Sequence, residues 1–356
     1  MDIIFLIYCL LIAAAVIPRK REKPDYLSVE CTTGMRGIAA IGIILHHMAE
    51  RTAGGFLFSR LVMVGYLLVS FFFFLSGYGL LVQYRKKGES YLHGFLKSQV
   101  LYLVVIYILD VLLYDVFDCL MGNPHTLAEI AKAIVFSGIA KNAWYMIVQI
   151  LCYLAFYFVF RCRAIKTLRA KILVVFLLQT AFCLLCILHG VSSVWYLSNY
   201  GFSLGLLWAY QKDRIDSFLN RRYAVGLLIA VLLFCGFYGS PVMVDRFIGG
   251  GFAKVFRTVC RLISSPLSVA LVIVIGFRLK PVLKLWNWVG SISLEIYLLH
   301  GLVYSILRSR YIFVESEILW TVLTVVLSVA LAYPVSKLNR MIAGWLKSGR
   351  RAAPVR

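Results

Sequence analysis

Apolar residues run along the chain in stretches of near twenty, separated by short loops carrying lysine, arginine and serine. About twenty apolar residues in a helix cross a hydrocarbon core of about 30 Å. The pattern predicts eleven spans, roughly 2–18, 33–52, 61–83, 99–120, 142–160, 171–189, 191–210, 222–239, 258–276, 286–307 and 316–338. Pro18, Pro241 and Pro281 mark several edges. The stretch from Thr126 to Gly138 is too short to cross and reads as an interfacial or re-entrant helix. Short alternating segments, the mark of a β-barrel, are missing. The expected fold is all-α: a polytopic transmembrane helical bundle. Residues 1–30 form an anchor span with a basic cytoplasmic loop, 31–347 the membrane domain and 348–356 a basic cytoplasmic tail.

Composition supports this reading. The chain is 62% hydrophobic and 15% charged, whereas soluble domains have about 25% charged residues. The net charge of +21 would suggest a nucleic-acid partner for a soluble protein. Here the basic residues sit in short loops, as topology signals do, and no nucleic-acid motif is present, so no nucleic-acid partner is expected. Most of the 37 lysines and arginines follow odd-numbered spans, from Arg19, Lys20, Arg21 and Lys23 to Lys337, Arg340, Lys347, Arg350, Arg351 and Arg356. That bias puts the N-terminus outside a cell membrane and the C-terminus in the cytoplasm. The first span has no basic residue before it and no clear cleavage site, so it reads as a retained anchor rather than a signal peptide. Cys183 and Cys186 form a CxxC inside an apolar run, which suits packing better than metal or redox chemistry.

Span two breaks the apolar rule. "GMRGIAAIGIILHHMAE", Gly34 to Glu50, begins with an arginine and ends with two histidines and a glutamate. Charge inside hydrocarbon is costly and marks function. At about 100° per residue, Arg36 and His47 fall within about 20° of one stripe, roughly 16 Å apart along the axis. Glu50 lies about 40° to one side and His46 about 80° away, which favours His47 over His46. Arg36 alone is also compatible with a snorkelling interfacial arginine, and His47 alone with a structural histidine. Together they suggest an anion grip at one membrane face and a base about half a bilayer away, both turned toward a shared cavity. A neutral imidazole can take a proton from a hydroxyl and return it. Glu50 could orient it. Adjacent helical side chains diverge by about 100°, so the His46–His47 pair reads as a poor chelate and no metal is expected.

These residues resemble a known family. Arg36, ten intervening residues and His47 resemble the R-x10-H signature of the acyltransferase 3 family, integral membrane acyltransferases of envelopes. "FFFFLSGYGLL" (71–81) resembles its aromatic run ending in Ser-Gly-aromatic, and "VGSISLEIYLLHGLVY" (289–304) its Tyr-Leu-x-His span. "AWYMIVQILCYLAF" (143–156) and "GFSLGLLWAY" (201–210) resemble its middle spans. The likeness runs from about Cys31 to Lys347. One stretch departs: where the family has an Arg-rich segment before a proline, this chain has "FLKSQVLYLVVIY" (95–107), in which only Lys97 can stand for an arginine. The resemblance implies a ten-span core, to which residues 1–18 add an anchor. It also implies transfer of an acyl group, most often acetyl, from cytoplasmic acyl-CoA to a hydroxyl of an envelope glycan or lipid-linked sugar. His47 would be the base, and Arg36, with Ser76, Gly77 and Lys97, would hold the donor. Trp144, Tyr145, Tyr297 and His300 would be the substrate-side residues.

Two further polar positions stay open. Asp110, mid-span, is a possible orienter of His47 or half of a structural pair. Glu295 is a possible second acid, but it lies about 140° from His300 and cannot share its face. His93, His125 and His189 at loop edges read as solvated. A transporter or channel for a small polar solute is the rival reading, since intramembrane charge also lines transport paths. That class favours internal repeats and broken spans, and no convincing repeat is present. The sequence leaves the acceptor, the acyl group and the oligomeric state open.

Overall fold

In a computed structural model, residues 1–16, 25–247, 250–279 and 284–348 are described. The basic loop Arg19–Lys23, Pro18, Lys280, Pro281, Arg350, Arg351, Arg356 and most of the expected 348–356 tail lie outside them. Twelve α-helices carry the described chain: α1 (Asp2–Val16), α2 (Val29–Ala49), α3 (Gly65–Lys87), α4 (Tyr102–Leu120), α5 (Leu127–Phe136), α6 (Trp144–Arg161), α7 (Leu168–Leu188), α8 (Tyr200–Phe247), α9 (Gly250–Arg278), α10 (Lys284–Ser291), α11 (Ser293–Ile306) and α12 (Glu317–Ser348). The fold is an all-helical membrane bundle. Long side chains such as Leu177, Leu184 and Leu188 of α7 face outward, where only lipid would cover them.

The spans differ from expectation in several places. Among the described residues, seven helices are long and apolar enough to cross a membrane, or eight if a bent pair counts as one; α1 and α2, the expected first and second spans, are not among the seven. That bent pair is the expected tenth span, which breaks by 73° between α10 and α11. Ile292 at the break is not helical (φ −122°, ψ 18°), and Gly290, Ser291 and Ser293 around it are weak helix formers. Spans seven and eight merge into α8, whose two parts meet at non-helical Arg222. The loop expected there is helical because it holds neither Gly nor Pro, and Lys212 bonds Asp216 one turn on (2.5 Å). Residues 191–199, expected to begin span seven, instead hold one 3₁₀ turn, Ser193–Trp195.

α5 is a short amphipathic helix, as Thr126 to Gly138 suggested. A capping box starts it: Glu129 N–H donates to Thr126 Oγ1, and the Glu129 carboxylate accepts from Thr126 N–H. Cys183 and Cys186 are buried and unbridged in a small apolar cluster with Tyr196 and Leu197.

α2 runs through the centre, with Ile43, Ile44, Leu45 and Met48 almost wholly buried. Glycine sets how closely it is approached. A Cβ at Gly37 would strike the Trp286 carbonyl of α10, and one at Gly290 the Thr33 carbonyl of α2. Close backbone approach of this kind needs small residues on both helices. α3 and α8 meet in the same way through Gly77, Gly201 and Gly205.

Candidate active site

α2 delivers its polar residues to two cavities. Ser28 caps the helix by accepting from Cys31 N–H (3.3 Å), and Arg36 lies in the third turn. Its Nη2 donates to Thr33 Oγ1 (3.0 Å), while Nε is buried without a partner. The side chain lines a cavity of about 850 Å³ with Ser76 of α3, Tyr145, Gln149 and Tyr153 of α6, and Tyr297 of α11. Lys86 and Lys87 stand at the same cavity. Gln149 is 3% exposed, and neither its amide nitrogen nor its amide oxygen has a partner. Buried polar atoms are nearly always bonded, so this cavity holds spare donors and acceptors that a ligand could satisfy.

The other end of α2 lines a second cavity, about 190 Å³, with His46, His47, Glu50, Asn142, Trp144 and Tyr297 among its walls. Tyr297 lines both cavities. The single shared cavity expected for Arg36 and His47 is therefore two, set back to back on either side of one tyrosine. Trp144 and Tyr145, neighbours in sequence, are divided between them because successive helical side chains diverge.

Hydrogen bonds around His47 assign its tautomer. Nδ1 lies 2.9 Å from Glu50 Oε2. A carboxylate only accepts, so Nδ1 carries a proton, and in the neutral ring Nε2 is the nitrogen with the lone pair. Arg51 donates to the same Glu50 oxygen (3.1 Å) and to the His47 carbonyl (2.7 Å). The His47 ring stacks on that of His300, centroids 5.1 Å apart and planes 18° apart. His300 is fully buried and fully used: Nδ1 donates to the Ile296 carbonyl (3.2 Å), and Nε2 accepts from the Asn142 amide (3.2 Å). Of these two stacked rings, His47 is the one with a free basic nitrogen. The Asn142 carbonyl also accepts from Tyr297 OH (3.0 Å). Asn142 holds a positive φ of 63°, a costly conformation for a residue other than glycine, and such strain gathers at functional sites.

A family description, "Acyltransferase domain", matches residues 30–337. The chain belongs to the acyltransferase 3 family. It is a membrane acyltransferase. No curated protein and no solved structure matches it.

The remaining sequence-based candidates fall inside and outside the two cavities. Ser76 lines the Arg36 cavity of the acyltransferase, but Gly77 does not: it turns to α8, where a Cβ would strike the Phe202 backbone, so it serves packing. Lys97 is exposed on a π-helical turn (Leu96–Leu101) and lines neither cavity; Gln99, two residues on, lines the Arg36 side. Asp110 is buried on α4, its Oδ2 unpartnered, and lines neither cavity. Glu50, not Asp110, is the carboxylate that meets His47. Glu295 accepts from Asn339 Nδ2 of α12 (2.8 Å), a buried structural bond. His125, expected to be solvated, bonds Asp115 (3.0 Å).

His46 was set aside on helical angles, yet it lines the cavity. Its Nδ1 lies 2.9 Å from the Leu61 carbonyl and its Nε2 3.5 Å from Glu50 Oε1. Gly65 makes room, since a Cβ there would overlap the ring. Ligand-type atoms of His46, His47 and Glu50 all lie within 4.8 Å of one another. The two rings, expected to diverge, instead converge on Glu50 at the helix end. The hydrogen bonds already made, with Arg51 on the carboxylate, suit proton handling better than a cation.

Proposed function

We propose that the enzyme moves an acyl group, acetyl in the first instance, from cytoplasmic acyl-CoA to a hydroxyl of an envelope glycan or lipid-linked sugar across the cell membrane. On this reading the Arg36 cavity opens to the cytoplasm and takes the donor, and the His47 cavity faces outward and takes the acceptor. The N-terminus is then outside and the C-terminus inside. The observation that carries the reading is the pair of cavities meeting at Tyr297, one with a half-buried guanidinium that pairs with no acid among the described residues, the other with a carboxylate-oriented imidazole.

The residues suit each substrate. Lys86, Lys87 and Arg36 supply positive charge for the phosphates of the donor. Gln149 and Tyr153 supply polar groups near Arg36 for the rest of it. At the acceptor, His47 Nε2 takes the hydroxyl proton as the oxygen attacks the thioester carbon. The carbon–sulfur bond then breaks, and the departing thiolate takes a proton, leaving free CoA and an ester. Glu50 holds the imidazole in the required tautomer and stabilises its charged form, as the carboxylate of a catalytic triad does. Tyr297, common to both cavities, is where the acyl group passes.

The test uses the purified protein in lipid nanodiscs with acetyl-CoA labelled in its acetyl group. Envelope fractions from cells with and without the gene serve as acceptors. The expected result is label in an alkali-labile ester of a glycan or lipid-linked sugar, lost in His47→Ala. Unchanged labelling in that variant would remove His47 from the reaction.

A further inference from the structure

The His47 cavity has a second charged wall that the reaction above does not use. Arg261 of α9 lines it, on the far side of the sequence from the α2 cluster. The cavity's one carboxylate, Glu50, is already shared by His46, His47 and Arg51. Among the described residues no acid pairs with Arg261. Tyr66 OH, bonded to Ser264 Oγ (3.2 Å), ties the α3 wall to α9 beside it.

The surrounding helix adds to the field. Lys254, Arg257 and Arg261 fall within about 60° on one side of α9, followed along the same side by Ser264, Ser265 and Ser268. Lys254 at the end of this side is exposed, whereas Arg261 is half-buried and Ser264, Ser265 and Ser268 are buried, so α9 turns a guanidinium and hydroxyls inward, which suits a polar occupant. A half-buried guanidinium without an acid loses hydration that an anionic ligand would restore through charge-assisted, bidentate bonds. The cavity is smaller than the roughly 300–1,000 Å³ of drug-sized sites, so one sugar ring with its charge suits it. Trp144 offers that ring a flat apolar wall.

We propose that the acceptor is anionic: a hydroxylated sugar bearing a phosphate or a carboxylate, with the charge gripped by Arg261 and a hydroxyl presented to His47. This rests on the reading of the His47 cavity as the acceptor site. A phosphate would belong to a lipid-linked or phosphorylated glycan, a carboxylate to an acidic one.

Binding, measured without donor, separates this proposal from the reaction. Titrate the protein, in nanodiscs of neutral phosphatidylcholine, with glucose 1-phosphate, glucuronate and methyl glucoside. At least one anionic sugar should bind about tenfold tighter than methyl glucoside, the worth of one charge-assisted hydrogen bond. Arg261→Gln should erase that preference, and Arg261→Lys should keep part of it. In the wild type the preference should also shrink as salt rises, a readout that needs no variant. Preference for glucose 1-phosphate points to phosphate, and preference for glucuronate to carboxylate. Equal binding of charged and neutral sugars, no binding of any, or a preference surviving in well-folded Arg261→Gln would overturn the proposal. Equal acylation of neutral and anionic sugars would overturn it while leaving the acyl-transfer reading intact. An anion preference in a protein that never consumes acetyl-CoA would do the reverse.

Discussion

The two ends of α2 differ in how complete they are. Around His47 nearly every polar atom is already matched: His47 to Glu50, Glu50 to Arg51, His300 to Asn142 and Ile296, Tyr297 to Asn142. Around Arg36 the bonding is unfinished, with the guanidinium Nε and both amide atoms of Gln149 buried and unpaired. A finished network holds a reactive group in one geometry before substrate arrives, which is how a site prepares for chemistry. An unfinished one costs stability until a ligand completes it. The contrast assigns the proton chemistry to the His47 end of α2 and donor binding to the Arg36 end. Variants should therefore change kcat on one side and the donor KM on the other.

His47→Ala gives the largest effect. General-base catalysis contributes about 10²–10⁴-fold, so kcat should fall about 10³-fold while the donor KM stays within about twofold. A rise in donor KM with kcat retained would reverse the assignment of the two cavities. Glu50→Gln comes next. An amide can still contact Nδ1, but it cannot stabilise an imidazolium, so kcat should drop roughly 10²-fold, again with little change in donor KM. Steady-state kinetics at saturating acceptor reads both. If Glu50→Gln matched wild type while Asp110→Asn was inactive, the carboxylate partner would have been assigned to the wrong helix.

The ends of α2 were unequally legible in the sequence. Arg36, His47 and Glu50 could be found because helical geometry is regular and charge within an apolar run is conspicuous. The elements around them depended on tertiary contacts that spacing does not encode. His46 seemed to face away by angle, but Glu50 ends the helix and draws both rings together, into space left by Gly65 of α3. Gly77 looked like part of the donor site because it follows Ser76, yet one residue turns a helical position by about 100°, enough to aim it at α8. Asn142 sits in no motif and Gln149 passes unnoticed within the 143–156 span, and their importance appears only as unpaired amide atoms or a positive φ. Most helices were readable from the apolar runs, whereas the unwound stretch at 191–199 and the breaks at Arg222 and Ile292 were not. No proline marks either break, and the charged stretch before Arg222 bonds with itself as a helix.

Arg36→Ala tests the binding side. Bonds from a charged donor are worth about 1.5–3 kcal/mol, so the donor KM should rise roughly 10- to 100-fold, with kcat at saturating donor changed only a few-fold. Equilibrium binding of unlabelled CoA to His47→Ala and to the double variant separates affinity from turnover. A loss of affinity confined to the acceptor would mean that the guanidinium serves the other cavity.

Gln149→Leu carries the smallest effect and the sharpest sign. Leucine approximates the shape of glutamine and removes two buried polar atoms that lack partners, at a position 3% exposed. Replacing unpaired polar atoms by apolar ones of similar size is neutral or stabilising, here by about 1 kcal/mol. If those atoms wait for the donor, the same change should weaken donor binding about fivefold, the worth of one neutral hydrogen bond. The variant should therefore melt higher than wild type without ligand and gain less from added acetyl-CoA, since a ligand stabilises in proportion to its affinity. A residue that only packed would lower both midpoints together and leave KM unchanged, and that result would remove Gln149 from the donor site. The opposite movement of stability and affinity arises only where the fold has left polar groups for something else to bind.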